Sequence, residues 1–144
     1  MALDKLITRF HTADKAVRLE ALLDAAKRLA PIPERLAARR DREAHRIVEC
    51  QTPVFLWFER DGDLVRIHAD VPRESPTVAG FVSLLIKHLD GSPITALALV
   101  PGDLLFQMGL DETLGMMRTQ GLSAIVRRFR AAAQELAAPP NASG

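Results

Sequence analysis

Val54-Phe55-Leu56-Trp57-Phe58, the pair Asp61-Gly62, and the return Leu64-Val65-Arg66-Ile67-His68-Ala69 decide the fold. The first run is apolar at consecutive positions, so it reads as a strand covered on both faces and placed centrally in a sheet. Asp-Gly is a two-residue hairpin signal, because the turn needs a residue that tolerates positive φ. The return alternates: Val65, Ile67 and Ala69 fall on one side, Arg66 and His68 on the other. Residues 45–49 have the length and composition of a third, shorter strand.

On either side of this hairpin the apolar period is that of a helix. Leu3, Leu6, Ile7 and Phe10 recur at helical spacing. Asp14 is a good N-cap for a second helix carrying Leu19, Leu22, Leu23 and Ala26 on one face, with Pro31 and Pro33 ending it. The charged stretch around Arg39-Arg40-Asp41-Arg42-Glu43 reads as a solvated turn or loop. Beyond the hairpin, Val78, Phe81, Val82, Leu85 and Leu89 form an amphipathic helix face closed by Gly91. Pro93 suits the start of a short helix through Leu99, and residues 104–110 form another short apolar element. A last helix over residues 119–136 places Leu122, Ile125, Phe129, Ala132 and Leu136 toward the core. The expected class is α+β, a small antiparallel sheet of about three strands flanked by N- and C-terminal helices. Residues 1–138 form a single domain in this reading, and 139–144 a disordered tail.

Composition narrows the function. The chain has 144 residues, 48% of them hydrophobic, which suits one packed domain. Lys plus Arg is 19 against 18 Asp plus Glu, leaving +1, without the positive surplus that phosphate binding needs. There is no Tyr and one Trp, so base-stacking platforms are scarce, and no nucleic-acid partner is expected. The apolar runs are too short to cross a bilayer, and the start of the chain lacks the apolar core of a signal peptide. A soluble, cytoplasmic protein with no membrane partner is expected.

One cysteine, Cys50, excludes an internal disulfide and any multi-thiolate metal site within one chain. It lies between the short strand and the central one, followed by Gln51-Thr52-Pro53, a sequence that favours an extended or turning connection. Free cysteine is commonly a small buried hydrophobe; on an accessible loop it is a nucleophile. The residues alone leave both open.

Residues 48–56, Val-Glu-Cys-Gln-Thr-Pro-Val-Phe-Leu, resemble the cysteine-loop segment of the SufE family. Ala69-Asp70, Val78-Ala79-Gly80, Leu89-Asp90-Gly91-Ser92-Pro93, Met108-Gly109-Leu110 and Arg118-Thr119-Gln120-Gly121-Leu122-Ser123-Ala124-Ile125 follow in that family's order. The resemblance implies a sulfur carrier: Cys50 accepts persulfide sulfur from a SufS-like cysteine desulfurase and passes it to an iron–sulfur scaffold complex. No cofactor of its own is implied, since the pyridoxal phosphate belongs to the partner enzyme, and a monomer or weak homodimer is expected. Arg118 is placed near the cysteine loop as the cation that stabilises thiolate or persulfide. Gln51, Thr52, Asp70 and Glu74 are candidate loop or partner contacts. Such a protein is an accessory activator of a desulfurase rather than an independent enzyme.

The sequence departs from that family at Glu49, where a glycine is usual, at Pro53, which stiffens the loop, and in a slightly longer stretch over residues 71–75. A carboxylate beside Cys50 disfavours its thiolate unless a cation offsets it. Two other readings therefore stand beside the carrier: a non-catalytic interaction or regulatory module, and an iron–sulfur scaffold in which subunits share a cluster. His45 with Cys50 makes two metal ligands without a third. His11, His68 and His88 read as solvated, and no serine carries a nucleophile motif. Arg127, Arg128 and Arg130 read as the solvated face of the last helix, with partner docking second. Phe55 and Trp57 share a strand face that suits core packing, or docking by the resemblance.

Overall fold

The computed structural model describes residues 2–39 and 41–137. The tail expected over 139–144 lies outside the described residues. Helices α1 (Asp4–Thr12), α2 (Lys15–Ala26) and α3 (Glu34–Ala37) precede a 3₁₀ turn, Arg42–His45. Strands β1 (Phe55–Asp61) and β2 (Leu64–Asp70) follow, then α4 (Pro76–Leu89) and a 3₁₀ segment, Ile94–Leu99. Two single turns, α5 (Leu104–Gln107) and α6 (Leu110–Thr113), lead to the long α7 (Met116–Ala137). This is the expected α+β arrangement, with the last helix starting three residues before Thr119, at Met116.

The sheet has two strands among the described residues, paired antiparallel from Phe55 opposite Asp70 to Asp61 opposite Leu64. The third strand expected over residues 45–49 does not form. Only Arg46 bridges Phe55, and the chain then turns, with Cys50 N–H donating to Ile47 C=O at 3.2 Å. The edge of β2 is covered instead by the segment after α4. Val65 N–H donates to Ser92 C=O at 2.9 Å, Gly91 N–H to Val65 C=O at 2.8 Å, and Asp90 Oδ1 accepts from Ile67 N–H at 2.8 Å. The hairpin loop is Gly62-Asp63, one position later than the Asp-Gly signal suggests. Asp61 remains paired, and Gly62 alone takes positive φ (+62°), the requirement of a II′ turn.

β1 is covered on both faces, as its unbroken apolar run requires, although it is not central. Val54 and Leu56 enter the main core. Phe55 and Trp57 enter a second cluster with Leu36 and Ile32, so both are core residues and neither is free to dock a partner. Arg42 lies over the Phe55 ring at 4.1 Å and His45 stacks on Trp57 at 5.6 Å, closing that side. Arg42, in the stretch read as a solvated turn, thus covers this side of β1, while Arg40 lies outside the described residues. His68 is half-buried, 3.4 Å from Glu59, rather than solvated.

α2 ends at Ala26, several residues before the prolines, and turns its face slightly from the expected one. Arg18, Leu22 and Ala25 are buried while Leu23 is 44% exposed. The reason is the crossing with α4: a Cβ on Gly80 would stand 2.0 Å from Leu22 C=O, so the backbones touch there. α4 is correspondingly not amphipathic over its first half. Thr77 and every residue from Ala79 to Leu85 are buried, because α2 covers one side and β2 and α7 the others. Arg18 is buried with five hydrogen bonds, to the carbonyls of Phe10, His11 and Gly109, to Thr113 Oγ1 and to Glu112 Oε1. It joins the end of α1 to the α5–α6 corner, a desolvated charge stable only with this full complement.

Gly80→Ala should lower the unfolding free energy by about 2 kcal/mol, since the clash is with backbone that cannot rotate away. Denaturant unfolding measures it, and a midpoint equal to that of the parent would contradict the close crossing.

Candidate functional site

Cys50 sits on a loop closed at its base. Ile47 N–H donates to Val54 C=O at 2.8 Å, and both residues are buried, so residues 48–53 project from a fixed hinge. Val48 and Glu49 form the turn, with Val48 78% exposed at the tip. Pro53 precedes the first strand and starts the chain back into the sheet.

The thiol points inward. Cys50 is 7% exposed, and its S–H donates to Gly121 C=O at 3.4 Å on α7. Position 121 must be small, because a Cβ there would lie 3.1 Å from Cys50 Sγ. The sequence hinted at this glycine only as part of the block after Arg118. Around the thiol is a recess of about 200 Å³ lined by Gln51, Thr52, Ser75, Thr77, Met117, Arg118 and others.

Of the residues singled out in the sequence, Gln51, Thr52 and Arg118 meet at this recess. Gln51 is exposed, and Thr52 Oγ1 shares a hydrogen bond with Ser75 Oγ at 3.0 Å. Arg118 lies within the first turns of α7, not before it, and donates from Nη1 to Thr77 Oγ1 at 2.8 Å. That contact aims it across the recess rather than onto the sulfur. A cation there opposes the helix dipole, so Thr77 offsets an otherwise unfavourable placement. Asp70 is elsewhere, paired with Arg42 under the sheet, and Glu74 is exposed outside the recess. Three contributors were not legible as site residues: Ser75 and Thr77, whose partners are far away in sequence, and Arg127, whose Nη2 is 3.4 Å from Glu49 Oε2.

Electrostatics keep the thiol protonated in this form. Burial pushes the Cys50 pKa above the usual thiol value, and the Glu49 carboxylate pushes it further the same way. Beside the loop, Glu49, Asp111, Leu114, Met116 and Arg127 line a wider groove of about 840 Å³; Met116 stands exposed in it and Met117 stands exposed at the thiol recess. Among the described residues no group of three His, Cys, Asp or Glu is placed to hold a metal ion, and no helix is long and apolar enough to cross a membrane.

Residues 4–133 match the model of the SufE family, the Fe-S metabolism associated domain. The chain belongs to the SufE family. It is 32% identical over 129 residues to uncharacterized SufE-like proteins from two strains of Mycobacterium tuberculosis, covering 89% of this chain and 88% of each of theirs. The solution structure of a hypothetical protein from Thermus thermophilus superposes with a TM-score of 0.78 at 31% identity, covering 93% of this chain and 94% of that one. The SufE relationship associates this domain with iron–sulfur metabolism.

The two upward influences on Cys50 can be separated by pH. Alkylation by iodoacetamide should rise through a midpoint above that of an exposed cysteine. Glu49→Gln should lower the midpoint without bringing it to that reference, because burial is the larger cause. A midpoint unmoved by Glu49→Gln would remove the carboxylate from the account.

Proposed function

We propose that this SufE-family chain is a sulfur carrier in which Cys50 accepts the terminal sulfur of a cysteine desulfurase persulfide and passes it to iron–sulfur cluster assembly. The observation that carries the reading is the placement of the sole cysteine on a hinged loop above a recess that also holds Arg118, Thr52 and Gln51. In the transfer, the Cys50 thiolate attacks the outer sulfur of the partner's persulfide. A bond forms from Cys50 Sγ to that sulfur, the partner's S–S bond breaks, and the partner cysteine leaves as a thiolate. No net oxidation occurs, so neither chain needs an external electron acceptor.

The chain supports each requirement. Attack on a partner's sulfur requires the segment 48–53 to swing out, and the Ile47–Val54 hydrogen bond closes that segment at its base. Arg118 lines the same recess as Cys50, held by Thr77, and in this reading turns toward the thiolate or persulfide anion during transfer. With no second cysteine, the persulfide cannot be discharged into an intramolecular disulfide. The protein is then soluble and acts in the cytoplasm as an accessory to a pyridoxal-phosphate desulfurase and a downstream scaffold complex, binding no cofactor itself.

One observation favours a second reading, a SufE-fold module without chemistry. Cys50 is buried, and both influences on its pKa disfavour the thiolate. One experiment separates the two. Incubated with a desulfurase and cysteine, the chain should gain one sulfur mass on Cys50, and Cys50→Ser should gain none. Absence of the adduct on the unaltered protein, or its equal appearance on Cys50→Ser, would favour the module. In the same assay Arg118→Ala should slow acceptance about tenfold or more, by analogy with loss of a single charge-stabilising donor. Unchanged kinetics would place Arg118 outside the reaction.

A further inference from the structure

Three side-chain contacts hold the cysteine loop down, and they differ in kind. The first is the Cys50 S–H to Gly121 C=O contact at 3.4 Å, a weak bond that exists only while the thiol is protonated. The second is the neutral Thr52–Ser75 hydroxyl pair at 3.0 Å. The third is Glu49 to Arg127 at 3.4 Å, the ion pair this loop makes among the described residues. Its two ends come from the residue adjacent to Cys50 and from α7, less than two turns beyond Gly121. Arg46 and Arg128 line the same shallow recess as Glu49 and Arg127, but Arg46 lies 3.9 Å from Glu43 and Arg128 2.8 Å from Glu135. Glu49 is thus matched to Arg127.

We propose that the Glu49–Arg127 pair is a latch that holds the cysteine loop against α7, so that breaking it admits a reaction partner to Cys50. Its purpose rests on the carrier reading, although its existence does not. The latch also explains why a carboxylate is tolerated beside the sulfur. Glu49 makes ionisation harder in the closed loop and, through Arg127, makes the loop stay closed. Once the thiol ionises, the Gly121 carbonyl faces an anion with no proton to share, and that contact is lost. The ion pair and the hydroxyl pair are then what remain. The charged groups around Cys50 are Glu49 on its own segment, Arg118 and Arg127 on α7, and Asp111 of α6 across the groove. Arg127 is a positioning residue, acting on the loop rather than on the sulfur, whereas Glu49 acts on both.

The latch and a simple field effect predict opposite signs. If Arg127 acted only as a cation near the thiol, its removal would favour the protonated form and slow reaction with an electrophile. If it is a latch, its removal frees the loop and speeds reaction. The test uses the full chain, no desulfurase, and iodoacetamide, which is neutral and so not steered by the change. Adduct formation on Cys50 is followed by mass spectrometry near pH 8. Arg127→Gln keeps most of the side-chain stem and loses the charge; it should react roughly two- to fivefold faster, the range open to an exposed pair. Arg127→Lys should return toward the parent rate. Added salt should accelerate the parent and leave Arg127→Gln nearly unchanged. A rate for Arg127→Gln equal to or below the parent's overturns the latch, as does acceleration that Arg127→Lys fails to reverse, which would mean lost packing. Failure of persulfide loading in the separate desulfurase assay would sink the carrier reading and leave this result standing.

Discussion

At Gly80 the backbone of α4 meets the backbone of α2 at Leu22, with no room for a single methyl group between them. Helices normally keep 8–10 Å between axes because side chains fill the seam; a glycine at the contact lets them come closer. That approach sinks the first half of α4 into the core, between α2 and the sheet. It also sets where the start of α4 emerges, and therefore where Ser75 and Thr77 stand. Those two hydroxyls hold Thr52 of the cysteine loop and Arg118 of α7. The site is built on the start of one buried helix.

For the carrier role proposed above, Cys50 faces a conflict between protection and reactivity. Closed, the thiol is shielded from solvent and adventitious oxidants, and burial together with Glu49 keeps it protonated. In the opening proposed above both influences would weaken, because the sulfur would regain water and leave its low-dielectric surroundings. Exposure and ionisation are therefore coupled, and each favours the other. The thermodynamic sign follows directly. A thiol with a raised pKa binds its proton more tightly in the closed form, so closure weakens as pH rises above the ordinary thiol value. A loop with these properties suits a carrier that must be inert between encounters.

The sheet shows how edges are managed in a small domain. With two strands, each outer edge exposes unpaired backbone groups that invite association. Here the segment after α4 covers β2, and the entry to the cysteine loop covers the start of β1 at Arg46. The second of these makes edge protection and site construction one device: the hydrogen bond that ends pairing on β1, from Ile47 to Val54, is also the hinge of the loop.

Much of this protein was legible along the chain. The switch from helical to alternating period located the hairpin, Asp14 marked the start of α2, and the resemblance in the Cys50 and Arg118 blocks pointed to the two parts of the site that do meet. Those features are local, set by periodicity, capping and turn chemistry within a few residues. What was not legible depended on partners distant in sequence. The buried face of α2 shifted because Leu22 had to meet Gly80. Residues 45–49 leave the sheet after Arg46, and the chain seats Cys50 on Gly121 of α7. Arg18, which no local pattern singles out, is a buried tie between α1 and the α5–α6 corner. Asp70 and Glu74, expected as loop or partner contacts, lie outside the thiol recess, and Arg127 reached Glu49 across the fold. The sequence alone determined which residue is the candidate thiol, since there is one cysteine. Only the tertiary structure decided what surrounds it, because the donors, charges and close contacts that tune Cys50 come from α4 and α7, and packing brings them together.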